Sequence, residues 1–131
     1  MKEELKNRTK QIGLDVIELS TELSLDITSR AIVNQIVRSS TSVVANYRAA
    51  CRAKSDADFI NKLKIVEEEA DETMYWLEIL VESKYVQKHR IEKLYQELNE
   101  VLSIVVSSIK TVRNKMNQSK VKNYKSLIDN R

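Results

Sequence analysis

The stretch Ile91-Glu92-Lys93-Leu94-Tyr95-Gln96-Glu97-Leu98-Asn99-Glu100-Val101-Leu102-Ser103-Ile104-Val105-Val106-Ser107-Ser108-Ile109 decides the fold class. Its apolar residues Ile91, Leu94, Leu98, Val101, Leu102, Val105 and Ile109 recur at three- and four-residue steps, and Val112 and Met116 carry the seam on. That period is the helical one, and it puts every aliphatic side chain on one stripe. A helix is therefore expected from Gln87 to Asn117. Working backwards, the same period predicts three more. One covers Glu3 to Leu23, through Leu5, Ile12, Val16, Leu19 and Leu23, with Leu14 and Ile17 widening the stripe. A second covers Thr28 to Ala53, through Ile32, Ile36, Val43, Tyr47 and Ala50. A third runs from Asp56 to Ser83, through Phe59, Leu63, Val66, Ala70, Met74, Leu77 and Val81.

The gaps between these segments hold only a few residues. Asp26 or Thr28 is available to cap the second helix, and Ser55 with Asp58 resembles a capping box for the third. Four long helices joined by short turns must run antiparallel to their sequence neighbours. The expected fold is thus an all-α, up-down-up-down four-helix bundle over residues 1–117, nearly 40 Å long for helices of this length. Residues 118–131 are expected to form a basic C-terminal tail or a short helical extension.

Composition agrees. The 131 residues contain no proline and one glycine, Gly13, so the turns of a β-rich fold and the loops of a phosphate-cradling site have little to be built from. The single cysteine, Cys51, forbids an internal disulfide and suits a reducing compartment. No apolar run approaches the roughly 20 residues that span a bilayer, and the charged start Met1-Lys2-Glu3-Glu4 leads into no signal core. A cytoplasmic protein is expected.

Chemistry-bearing patterns are missing. His89 is the only histidine, whereas carboxylate-bridged di-iron bundles need a Glu-x-x-His motif from each of two helices. Zinc would need a Cys/His cluster. Cys51 and His89 lie on different predicted helices, and no nucleophile elbow is present. No enzyme, metal or cofactor is expected, and the acids Glu67, Glu68, Glu69, Asp71, Glu72 and Glu78 are read as a solvated or subunit-facing surface. The third helix carries extra apolar residues (Ile60, Trp76, Ile79, Leu80) and so needs more than one neighbour, in its own chain or in another subunit. Tyr75, Trp76 and Ile79 are candidates for an oligomer interface.

The net charge of +3 conceals segregation. Between Thr28 and Lys54 the charged residues are all basic: Arg30, Arg38, Arg48, Arg52 and Lys54. The third helix is dominated by acids. From Thr111 onward bases face only Asp129. Two readings follow. The basic and acidic helices are complementary surfaces that neutralise one another, or Arg38, Arg48, Arg52 and Lys54, with Lys120 and Lys122 of the tail, form a stripe for nucleic-acid phosphates. The small residues Ser39-Ser40-Thr41-Ser42 point to close helix packing in preference to phosphate binding.

The segment from Gln35 to Leu80 resembles the bacterial family of 23S rRNA intervening-sequence proteins. The resemblance is carried by Ser39-Ser40-Thr41-Ser42, Ala45-Asn46, the Ser55 cap and Phe59-Ile60. Ala49-Ala50-Cys51 departs from a glycine-containing stretch of the Glu-Gly-Tyr type that many members have. The resemblance implies a four-helix bundle, often a homopentamer, and kinship with an accessory protein of diversity-generating retroelements whose basic surface engages a reverse transcriptase and nucleic acid. An oligomeric adaptor for RNA or a ribonucleoprotein partner is the expected function. A self-assembling protein scaffold with no nucleic-acid role is the alternative.

Overall fold

A computed structural model describes residues 2–129. Four helices follow one another: α1 (Lys2–Glu22), α2 (Ile27–Cys51), α3 (Asp56–Glu82) and α4 (Lys88–Asp129). They form an antiparallel up-down bundle in which α2 packs on α1 and α3, and α4 closes the ring by packing chiefly on α3. One end of the bundle therefore gathers the start of α1, the end of α2 and the start of α3. The other gathers the α1–α2 and α3–α4 turns. The core is aliphatic, with Val16, Val43, Val66, Leu77, Leu98, Val101 and Val105 without solvent contact. Burial of such side chains, at about 1.5–3 kcal/mol each, is what holds helices of modest intrinsic propensity together.

The helix boundaries expected from periodicity lie within one or two residues of those observed, except at the last one. α4 continues unbroken to Asp129, so residues 118–129 take the expected alternative of a helical extension. Periodic burial stops near Asn117, yet no glycine or proline breaks the helix. Asn130 and Arg131, the end of the expected tail 118–131, lie outside the described residues.

Packing of α2 on α3 rests on small side chains. Ser39, Ala70 and Thr73 are fully buried, and the Thr73 hydroxyl lies 2.8 Å from Ser39 Oγ; Ser40 is fully buried as well. Each hydroxyl also reaches a carbonyl one turn back, Glu69 for Thr73 and Ile36 for Ser39. The polar atoms are thus satisfied where the two helices approach. This is the close packing expected of the serine run, and it removes Ser39 and Ser40 from any contact with phosphate. Gly13 serves α1 in the same way, since a Cβ there would stand 3.0 Å from Val44 Cγ2.

The α3 helix finds both of its neighbours within the chain. Ile60 and Leu80 are buried among α2 and α4, and Phe59, Val81, Trp76 and Ile79 are half-buried against the same core. Its apolar surplus is therefore largely consumed inside one molecule.

The turns are tied down by side chains. Asp26 caps α2, accepting the Ser29 N–H at 2.8 Å while Ser29 Oγ accepts the Asp26 N–H at 2.8 Å. These bonds, the Ser29 N–H first among them, hold the Asp26 carboxyl below the usual carboxylate range. The Tyr85 hydroxyl donates to the same carboxylate at 3.1 Å, pinning the α3–α4 turn to the α1–α2 turn. α3 ends in a Schellman arrangement, with Tyr85 N–H bonded to Leu80 O and Lys84 N–H to Val81 O, both at 3.0 Å. Lys84 takes the left-handed position, with φ of 67°, that glycine usually fills.

Candidate nucleic-acid interface

The basic residues of α2 do not act as one set. Arg38, midway along the helix, is claimed by α3: its guanidinium pairs with Glu72 and lies 3.2 Å from Glu69 Oε2. For this residue the complementary-surface reading holds. Arg48 and Arg52 lie one turn apart at the other end of α2, and Lys54 follows in the turn to α3. All three are exposed, and among the described residues none takes part in an ion pair. Their position has a structural rationale as well, because a helix C-terminus carries partial negative charge and favours cations nearby. At roughly 1.5 Å per residue, Arg38 stands about 15 Å up the helix from Arg48, outside the cluster.

Beside the cluster lies a depression of about 860 Å³ at the bundle end. Leu5, Tyr47, Ala50, Phe59, Ile104 and Val112 line it, with Lys2, Lys54, Asp56 and the hydroxyls of Ser55, Ser103, Ser107, Ser108 and Thr111 also present. The Lys2 ammonium sits 5.4 Å from the centre of the Phe59 ring. Burial pushes the Tyr47 phenol well above its ordinary range, so it stays neutral. Cys51 is half-buried against the core at this end. His89 is exposed at the start of α4, at the opposite end, so the two do not meet. Among the described residues no group of His, Cys, Asp or Glu is arranged to hold a metal ion, and no helix is long and apolar enough to cross a membrane.

From this same end α4 projects beyond the bundle. Lys120 and Lys122 are both exposed on the projecting part. Two residues apart on a helix, they lie on nearly opposite faces, so they cannot both turn toward Arg48 and Arg52. Sequence reasoning grouped them by composition, and helical geometry separates them.

The acidic side of α3 is the counterpart. Glu68, Asp71 and Glu82 are exposed and free of ion pairs among the described residues, whereas Glu69 and Glu72 hold Arg38 and Glu78 accepts the Tyr95 hydroxyl at 3.0 Å. Tyr75, 50% exposed, lies in the middle of that face. Its ring meets Trp76 edge-on at 4.8 Å, and the buried Trp76 Nε1 has no hydrogen-bond partner. Of the three expected interface residues, Tyr75 is exposed and Trp76 and Ile79 are half-buried.

One contact that sequence reasoning missed closes the bundle between α1 and α4. Arg8 Nε donates to Glu97 Oε2 at 3.0 Å, its second nitrogen also pairs with Glu97, and it reaches Glu100 at 2.8 Å. The hydrogen bonds from Arg8 hold the Glu97 carboxyl below its usual range. A fork-shaped, bidentate pair of this kind fixes geometry as well as charge.

These features define a helical-bundle protein with an acidic flank, a projecting helix and, at the end from which it projects, the exposed bases Arg48, Arg52 and Lys54 beside the acids Glu3, Glu4, Asp56 and Asp58. The chain belongs to the 23S rRNA-intervening sequence protein family, whose model matches residues 2–107. It is also similar to a solved structure, that of a protein with unknown function from the S23 ribosomal protein family of Bacteroides thetaiotaomicron. The two are 35% identical with a TM-score of 0.75, over 84% of this chain and 99% of that one. Comparison with curated proteins gives no match.

Proposed function

We propose that the chain is a non-enzymatic, self-assembling helical adaptor that binds RNA, alone or with a protein partner, through Arg48, Arg52 and Lys54. One observation carries this reading. α3 neutralises Arg38 but leaves the three bases at the bundle end exposed and, among the described residues, without an ion pair, next to a hydroxyl-lined depression. Phosphates are the partners such a cluster suits, since each contact releases a condensed counterion. Lys120 or Lys122 extends the track along α4, one face at a time. The family's association with rRNA intervening sequences, and the pentameric assembly implied by the resemblance, fit an adaptor that presents several copies of one basic end.

Filter binding to structured RNA at two salt concentrations tests the proposal. Each phosphate contact contributes about 0.7–0.9 to the slope of log affinity against log salt, so Arg48→Glu with Arg52→Glu flattens it by about 1.4–1.8. Absence of binding at low salt, or affinity unchanged by the double substitution, refutes it. The Arg38 pair supports a second reading, a scaffold whose charges are spent on protein contacts alone. In that case added RNA leaves the sedimentation of the protein unchanged.

A further inference from the structure

The projecting part of α4 is an amphipathic arm whose apolar side chains are left exposed by the described residues. The family match ends at residue 107, whereas α4 runs to Asp129. Beyond Met116, Val121, Tyr124, Leu127 and Ile128 are all at least half exposed, Leu127 at 70%. At about 100° per residue these four share one face. That face is turned by roughly 100° from the seam of Val105, Ile109, Val112 and Met116 that α4 gives to its own bundle. Lys125 borders it, and Lys120 lies within it between Leu127 and Tyr124. A stripe set at a different angle from the core seam has no use inside the monomer. The arm also leads away from the bundle, so the chain's own α3 lies out of its reach.

We infer that the arm docks on the acidic α3 face of a second copy of this chain. That face, from Ile65 to Glu82, presents the exposed side chains Ile65 and Tyr75 among Glu68, Asp71 and Glu82. Charges complement: Lys120 and Lys125 lie within and beside the apolar stripe of the arm, and Glu68, Asp71 and Glu82 surround Tyr75 on α3. Lengths agree as well. Arg113 to Asp129 spans about 26 Å and Ile65 to Glu82 about 27 Å at 1.5 Å per residue. The two surfaces differ, so each copy both gives an arm and receives one, and the assembly closes into a ring when the rotation between copies allows. Lys122 faces away from the contact and stays available to phosphate. The inference rests on the self-assembly part of the proposed function and is independent of RNA binding.

Sedimentation equilibrium of the full chain tests it, with circular dichroism to confirm that each variant keeps its helices. Leu127→Asp with Ile128→Asp, on the exposed arm, should abolish or strongly weaken association without unfolding the bundle. Lys120→Glu with Lys125→Glu, and separately Glu68→Lys with Asp71→Lys, should each weaken association about tenfold, because like charges then face each other. Mixing the two charge-reversed chains should restore assembly. An oligomer unaffected by all three variants overturns the arm contact while leaving self-assembly intact. A wild-type monomer at micromolar concentration overturns both. Arm variants that lose RNA affinity without changing the mass assign the arm to nucleic acid and overturn the contact.

Discussion

The α1–α4 seam is the least extensive in the bundle, and ion pairs from Arg8 to Glu97 and Glu100 and from Arg90 to Glu22 tie it, so cutting the Arg8 pair measures its share of the closure. The perturbation is a double-mutant cycle of Arg8→Ala and Glu97→Gln. The side chains are 25% and 33% exposed, so water screens the pair in part. An exposed pair is worth about 0.2–1 kcal/mol. Bidentate geometry and the second carboxylate, Glu100, place this one near the top of that range, at about 1 kcal/mol of coupling. Urea denaturation at pH 7 is the assay, with the four proteins compared at common slope. The sign of the pH dependence follows from Glu97, whose carboxyl has a lower pKa in the fold than its ordinary value of 4.5. The coupling is fully present above that ordinary value and is lost as pH falls through the lower, folded one. It should also shrink in 1 M salt. Zero coupling at pH 7, or a coupling that disappears on raising the pH from 5 to 8, would refute the account of α1–α4 closure.

Two backbone positions give further checks by thermal or urea unfolding. Gly13→Val adds a branched side chain where even a Cβ stands 3.0 Å from Val44, and it should destabilise by about 1–3 kcal/mol. An unchanged midpoint would mean that α1 and α2 can separate freely there. Lys84→Gly relieves the left-handed φ of 67° and should raise stability by about 0.5–1 kcal/mol, and a loss would contradict the Schellman turn.

Much of the architecture was legible because helix periodicity is a local property. Leu94, Leu98, Val101, Val105 and Ile109 mark a buried stripe wherever the helix sits, and turns of four or five residues leave only antiparallel neighbours. The serine run was readable as a close contact for the same reason, and the buried Ser39 and Thr73 hydroxyls realise it. The seam of α3 was read slightly off centre. Phe59 and Val81 fall at its half-buried edge, whereas Ile60 and Leu80 are in the core, because two flanking helices, and not one, decide which side chains are covered.

By itself the sequence determined four amphipathic helices, their order and the segregation of their charges, since these depend on side-chain identity at fixed spacing. The tertiary structure alone decided which charges remain available. Arg38 is neutralised because α3 brings Glu69 and Glu72 beside it, whereas Arg48, Arg52 and Lys54 make no ion pair among the described residues although Asp56 and Asp58 begin α3 at the same end. It also decided that α4 outruns its bundle. Loss of apolar period near Asn117 marks the end of burial, and with no glycine or proline there to break the backbone the helix runs on through Asp129.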